Sequence, residues 1–529
     1  MKNHVKFTVG VVLAVALVFA FAGCGDGGDT PPDGSGSGSL TDPFIVGSEG
    51  SLIKVGSGED GWELNSHYRQ SANITLSILW TPIGTDTDPF SGSFKGEGHT
   101  ISRLRIMRSA DYNGLFGCID GGTVSNLNLT EVDINISGAS GFTGAVAGHN
   151  KGVVEHCDVS VAGGAAIKCP AQVGGVVGTN EGTVEHCTVS GTVTGEYGVG
   201  GVVGINGGTV QNCTASGSVK GTLMTMGAPG AVGGVAGVNQ GQVQHCTSSC
   251  SVEGISFEIL GIGGVVGLNM IGTVQNCASL DDVKGITLFT LESSLVGGVV
   301  GVNYAGTVQN CYSTGKVEGK DYIGGVVGAN YAGTVENCYA TGDVSGAERV
   351  GGVVGGNINA GSLPGKVMNC YATGDVSGAE RVGGIVGFNS EECSVAHCYS
   401  TGKVSGDTGV GGIVGSSDYS NGARVQNCVA LGDEVKAESS PVWRAIGIRS
   451  GTGAEDRNFA NKAMLIIIGA GPGAAISGIT DPTLVQGADV EAGANAGQFN
   501  NKTFWSGTVG FNFDGPWKWD NASNLPVLK

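Results

Sequence analysis

Sixteen residues, NCYATGDVSGAERVGG, stand at 337–352 and again, unchanged, at 369–384. Looser copies run in both directions. The phrase VGGVVG or a close variant begins at Val173, Val199, Val232, Ile262, Val296, Ile323, Val350, Val382 and Val410, with a worn copy at 142–148. Each is followed by a turn and a TVxNC-like phrase that ends in Cys157, Cys187, Cys213, Cys246, Cys277, Cys311, Cys338, Cys370, Cys398 or Cys428, in steps of 26 to 34 residues. Self-similarity at this period constrains the chain to a stacked array, because one such unit cannot bury its own apolar face and must be covered by its neighbours.

Within a copy the order is a short strand (GGVVG), a turn around an Asn, a second strand (GTVxNC), a bend of small residues, and a third strand (DVSG or KVEG). No helical period lies between them. Three short strands per repeat predict an all-β, right-handed parallel β-helix (solenoid) of about ten 26–34-residue coils, the hand following the general preference of parallel crossovers. Parity adds a detail. Val184 and Cys187 are three apart and would face opposite sides of a straight strand, so burying both requires a bend at Glu185-His186. That position is Asn in most copies, a residue that tolerates bends and can hydrogen-bond along the stack. Residues 43–138 read as a β-rich lead-in region with no helical pattern, 139–435 as the repeats, and 436–529 as a capping region that closes the last rung.

Glycine supplies 99 of 529 residues without a Gly-X-Y period, which excludes collagen. Hydrophobic residues make up 40% and charged ones 14%, the balance of a chain that fills a long core. The formal charge of −19 argues against nucleic acid or an anionic membrane surface as an electrostatic partner. Lys2, Lys6 and the apolar run Val9 to Ala22 read as a secretory signal over 1–23. Phe21-Ala22-Gly23-Cys24 is similar to a bacterial lipobox, which makes Cys24 the expected lipidated residue. Residues 24–42, rich in Gly, Ser and Pro, then serve as a flexible tether. The expected location is outside the cytoplasmic membrane, held by a lipid anchor at the outer membrane and facing the cell surface. The ten repeat cysteines read as a buried stack of small side chains, and the off-register Cys169, Cys250 and Cys393 as the better candidates for disulfides.

The consensus GGVVGxNxGTVxNCYATGxV resembles the GLUG repeat of bacterial surface and secreted proteins. These include adhesins and the non-catalytic parts of immunoglobulin-A-cleaving metallopeptidases. WTPIG, FSGSFKGEGHTISRLRI and GLFG in the lead-in region, and GFNFDGPWKWD near the C-terminus, resemble what flanks such repeats. The resemblance implies an architecture and a non-catalytic role: a cell-surface lipoprotein acting as an extended adhesion, binding or structural rod for a glycan or a surface or matrix protein. The peptidase activity would need His-Glu-x-x-His on a helix, and no histidine here is followed by glutamate.

Other signals compete with that reading. GAGPGA after the apolar run from Met464 is similar to a dinucleotide fingerprint, with Glu491 near the expected ribose acid, but Thr480 and Pro482 interrupt the helix it requires. His156, His186, His245 and His397 each precede a repeat cysteine and could pair with it on zinc; Asn at the other copies favours a bend residue, so no metal and no cofactor is expected. The enzyme alternative, a polysaccharide-processing β-helix hydrolase or lyase, would need paired carboxylates such as Glu348 and Glu380, each of which precedes an arginine. The expected ligand-binding residues are Tyr312, Tyr339, Tyr371 and Tyr399, one per coil at rung spacing, which either grip a ligand or stack on one another. Long third segments with Leu223, Met224 and Met226, then Ile255, Phe257, Ile259 and Leu260, then Ile286, Leu288, Phe289 and Leu291, form either an apolar ridge or a thicker core.

Overall fold

The computed structural model describes residues 31–107, 111–137, 141–223, 230–256, 260–287, 294–361, 363–418, 422–439, 442–450, 458–461, 464–468, 475–476, 488–490 and 500–529. The chain winds as a parallel β-solenoid with almost no helix. One coil shows the pattern. Asp321–Gly324 lies in one sheet, Val327–Tyr331 and Thr334–Glu336 in a second, and Tyr339–Ala340 and Val344–Ser345 in a third. The next coil repeats it in register: Ile323 pairs with Val350, Val327 with Val354, Val335 with Val367, Tyr339 with Tyr371 and Val344 with Val376.

One of the sheets stacks twelve strands, from Tyr112–Asn113 to Val442–Trp443, two more than the ten cysteine-marked copies. The two extra coils carry Leu127 and Asn458 where the others carry cysteine, so counting cysteines misses them. Both substitutes are buried. Asn458 also donates its amide to the Val425 carbonyl at 2.8 Å.

The core is one continuous column. In the central coils Ile323, Val326, Val335, Cys338 and Val344 point inward and are buried, and the same positions recur coil after coil. The paired glycines of VGGVVG mark the corner between the first and second sheets. A Cβ on Gly325 would lie 2.1 Å from the Gly352 carbonyl oxygen and 2.6 Å from Ala340 Cβ, so the corner closes only without one. The bend deduced from parity is present. His156, His186, Asn212, His245, Asn276, Asn310, Asn337, Asn369, His397 and Asn427 all have φ between +52° and +57°, the left-handed region that Asn enters at low cost.

A different asparagine forms the principal ladder. Asn150, Asn180, Asn206, Asn239, Asn269, Asn303, Asn330, Asn357 and Asn389, from the turn after VVG, are fully buried. Each side-chain amide donates to the Oδ1 of the next, at 2.7–2.9 Å, and Asn389 ends the run on the Ser417 hydroxyl at 3.2 Å. A buried amide left unbonded costs about 1–3 kcal/mol, so this column penalises any coil that slips in register.

Two expectations fail, one in the lead-in region and one in the tether before it. Glu49–Lys54 is a short helix, capped by Ser48, whose hydroxyl takes the Ser51 N–H while the Ser51 hydroxyl takes the Ser48 N–H; Leu52 and Val55 are buried against the first coils. The helix rests on this reciprocal cap rather than on any long apolar period, which is why the pattern hid it. Residues 31–42 are not a free tether. The Gly34 N–H donates to the Ile45 carbonyl at 2.9 Å and the Ile45 N–H to the Ser35 carbonyl at 2.8 Å, while Asp33 accepts from the Gly47 N–H and the Ser48 hydroxyl.

Candidate functional site

The third sheet carries an outward column, one residue per coil: Asp158, Thr188, Thr214, Thr247, Ala278, Tyr312, Tyr339, Tyr371, Tyr399, Val429 and Phe459, each paired in register with the next. Each follows a cysteine position, and because the cysteine points in, its neighbour points out. The four tyrosine rings are parallel, with centroids 5.0, 4.8 and 5.1 Å apart and interplanar angles of 2°, 1° and 6°. They form the self-supporting stack that rung spacing permits.

They are not equally available. Residues 500–529 lie along the side of the solenoid and cover one end of the column. Trp505, Val509, Phe511 and Trp517 are buried with Tyr371, Tyr399, Val429 and Phe459 in a second apolar cluster outside the coil. Trp517 lies 6.3 Å from Tyr371 and 6.0 Å from Tyr399, and Trp505 meets Tyr399 edge-on at 5.4 Å. The Tyr399 hydroxyl donates to the Pro526 carbonyl at 2.7 Å, and Trp517 Nε1 donates to Asn369 Oδ1 at 3.4 Å. Burial pushes the phenols of Tyr371 and Tyr399 well above their ordinary range, so both stay neutral. Of the four expected ligand-binding tyrosines, Tyr371 and Tyr399 are therefore occupied by the chain's own C-terminal segment. Tyr312 and Tyr339 remain half-exposed. The capping segment was legible as Trp-rich; its sideways placement was not, because nothing local in 500–529 indicates which surface it covers.

The ten repeat cysteines, Cys157 to Cys428, are buried and free. Most donate to a carbonyl two residues back, as Cys187 Sγ does to Glu185 at 3.2 Å, with a longer contact to the coil before, Val154 at 3.8 Å. Burial holds the thiols of Cys277, Cys311, Cys338, Cys370 and Cys398 well above their ordinary value, which removes the reactive thiolate. Cys169, Cys250 and Cys393, the expected disulfide candidates, are likewise buried and free, each in a different coil with no cysteine opposite.

His156, His186, His245 and His397 sit on the bend and turn away from the buried cysteines, so the adjacent His-Cys pairs cannot share a metal ion. Their rings instead continue the outer stack. His156 and His186 lie 4.7 Å apart at 3°, and His186, His245 and His397 each meet the Asn of the next coil at 3.2–3.5 Å. Glu348 is held by Arg349 at 3.2 Å and faces Arg381 at 3.9 Å, while Arg349 also pairs with Asp321 at 2.6 Å and covers the Tyr322 ring at 4.6 Å. Asp321 and Glu348 thus share an ion-pair ladder with Arg349 and Arg381, and Glu380 lies beside Glu348 in register.

The dinucleotide fingerprint, already disfavoured by Thr480 and Pro482, is absent as a fold: Leu465–Ile468 pairs antiparallel with Ala475–Ile476, a strand where the fingerprint requires a helix. Glu491 lies outside the described residues. Of the three long third segments, Ile255 and Ile286 are half-buried. The side chains of Leu223, Met224, Met226, Phe257, Ile259, Leu260, Leu288, Phe289 and Leu291 lie outside the described residues, as does Cys24. Among the described residues no helix is long and apolar enough to cross a membrane.

The family model of the GLUG motif matches residues 170–194, 195–220, 292–318, 321–345, 346–377 and 378–405. A Gly-rich membrane protein of Evansella cellulosilytica, provisionally named as such, is 31% identical over 170 residues, 30% of this chain and 19% of that protein. Halomucin of Haloquadratum walsbyi is 32% identical over 137 residues, 23% of this chain and 1% of its own length. The chain thus matches about a fifth of the first relative and about a hundredth of the second. Among solved structures, a provisionally named immunoglobulin A1 protease from Bacteroides ovatus overlays 94% of both chains at 15% identity and a TM-score of 0.23. An IgA1 protease overlays 68% of this chain and 22% of its own at 14% identity and 0.24. Overlays this loose say nothing about activity here.

Proposed function

Because this is a GLUG-motif repeat protein wound as a parallel β-solenoid, we propose that it is a non-catalytic surface rod that binds a glycan or a surface or matrix protein along one face. Cys24 is its lipid anchor, and the outer membrane, facing outward, is its place. The observation that carries the binding role is the tyrosine column. Its covered half already holds an aromatic segment from the same chain, through ring contacts and one hydrogen bond to a backbone carbonyl. The rest of the column offers Tyr312, half-exposed, and Tyr339, which packs at the edge of the covered cluster, and beyond Ala278 a row of hydroxyls at Thr247, Thr214 and Thr188. Ring faces with neighbouring hydroxyls suit sugars and extended peptides, which pair an apolar face with polar groups. The surface location is supported by the membrane-protein and halomucin names of the relatives and by the lipobox-like 21–24.

The test joins location and binding. Protease shaving of intact cells is expected to release peptides from 139–435 without lysis, and Cys24→Ser to release the protein from membranes. The purified chain should then bind a panel of surface glycans and matrix proteins, with Tyr312→Ala/Tyr339→Ala weakening capture at least ~10-fold while the coils still unfold cooperatively, at a midpoint lowered only by the lost ring stacking. Full protection from shaving, or capture indifferent to both tyrosines, rejects the reading.

A further inference from the structure

We propose that Cys118, His149 and Asp86 form a binding site for a zinc-class divalent cation at the junction of the lead-in region and the repeats. Phe116–Ser125 and Ala147–Glu155 are neighbouring parallel strands, and their register places His149 directly beside Cys118. Asp86 reaches the pair from the turn at 85–88, closed by the Thr85 N–H on the Asp88 carbonyl. Cys118 Sγ, an imidazole nitrogen and an Asp86 oxygen all lie within 4.8 Å of one another. Ligand atoms on a tetrahedral zinc sit about 2.0–2.3 Å from the metal, hence under about 4 Å from each other, so a small inward movement of the half-exposed Asp86 completes the approach.

The histidine is the independent sign. It is 8% exposed, and its ring is stacked against Tyr112 at 5.6 Å and Phe142 at 6.2 Å. Nε2 lies 3.2 Å from Glu181 Oε1, whereas Nδ1 is buried with no hydrogen-bond partner among the described residues. A carboxylate that accepts from one imidazole nitrogen leaves the other with its lone pair, the arrangement that orients a metal-ligating histidine from behind. A buried nitrogen without a partner costs free energy that a cation would recover. The mixture of thiolate, imidazole and carboxylate selects zinc-like ions over calcium or magnesium, which take oxygen ligands alone. Binding replaces the Cys118 S–H bond with a sulfur–metal bond and releases one proton to solvent. Lys151, 3.9 Å from Asp86, balances that carboxylate when no cation is present.

The site lies outside the binding face proposed above and stands or falls separately from it. The full chain, dialysed against zinc and then against buffer, is expected to keep one equivalent. Cobalt in its place should give the near-ultraviolet thiolate-to-metal absorption of a bound cysteine. Cys118→Ser should abolish that band, and Glu181→Gln, which leaves all three ligands in place, should weaken zinc binding ~10–100-fold as a positioning residue does. Circular dichroism of each metal-free variant checks that it folds. Zinc retained equally by wild type, Cys118→Ser and His149→Gln, or a folded wild type that takes up no zinc and gives no cobalt band, overturns the proposal.

Discussion

From Phe44 to Phe116 the solenoid is filled by rings of unequal size. Phe44 stacks on Trp62 at 4.6 Å, Phe90 meets Phe116 at 4.8 Å, and Phe94 meets Phe116 edge-on at 5.8 Å. From Val173 to Val414 the same space is filled by nearly the same valines and cysteine in every coil, with an asparagine ladder alongside. The first region is held by contacts that occur once. The second is held by one contact made many times. A unique contact is costly to lose and needs its own partners, whereas a repeated one is modest at each rung but sets register over the whole length. The difference also sorts the chemistry. The His149 and Cys118 pairing arises at the seam, where the repeat is still irregular. The regular coils offer stripes of one residue type.

The largest expected effect is on the unique side. Phe116→Ala removes a fully buried ring that touches both Phe90 and Phe94, and should cost about 3–5 kcal/mol in denaturant unfolding. A loss below about 1 kcal/mol would mean that the lead-in coils close around the vacancy and do not depend on this one contact. Next is Gly325→Ala, where the new Cβ meets the Gly352 carbonyl; about 3 kcal/mol is expected, confined by hydrogen exchange to the coils on either side. Exchange that rises along the entire solenoid would erase the distinction between local and shared contacts. Asn330→Ala cuts the ladder in the middle and leaves Asn357 Oδ1 without its donor, for about 2 kcal/mol by the same unfolding measurement. An equal loss from Asn337→Gly, which keeps the left-handed bend and removes only the outer side chain, would show that burial of the ladder adds nothing. Smallest is Tyr399→Phe, which keeps the ring stack and loses only the bond to Pro526, about 1 kcal/mol. Limited proteolysis should then cut within 500–529 sooner while sparing the coils.

The repeated region is largely legible in the sequence. Parity between Val184 and Cys187 locates the left-handed bend, and the cysteine column gives the inward face and so the outward tyrosines. The pattern points to the asparagine before the cysteine for hydrogen bonding along the stack, whereas the buried ladder uses the one after VVG. Both recur in most coils, and period alone does not say which is inside. The two unmarked coils, with Leu127 and Asn458, escape the count because their packing survives a change of residue that ends the sequence match. The short helix after Ser48, the seat of 500–529 on the tyrosines and the approach of Asp86 to His149 depend on contacts between segments far apart in sequence. No local pattern records them.

The C-terminal segment has a mechanical consequence. Tension along the solenoid axis pulls straight on the hydrogen bonds between coils, which can then give way rung by rung. Residues 500–529 touch the coils of Tyr371, Tyr399, Val429 and Phe459 together. Opening any of those seams requires sliding indole and phenyl rings across the stack, so that stretch yields in shear, as a unit, while the coils before Tyr312 can open singly like a zipper.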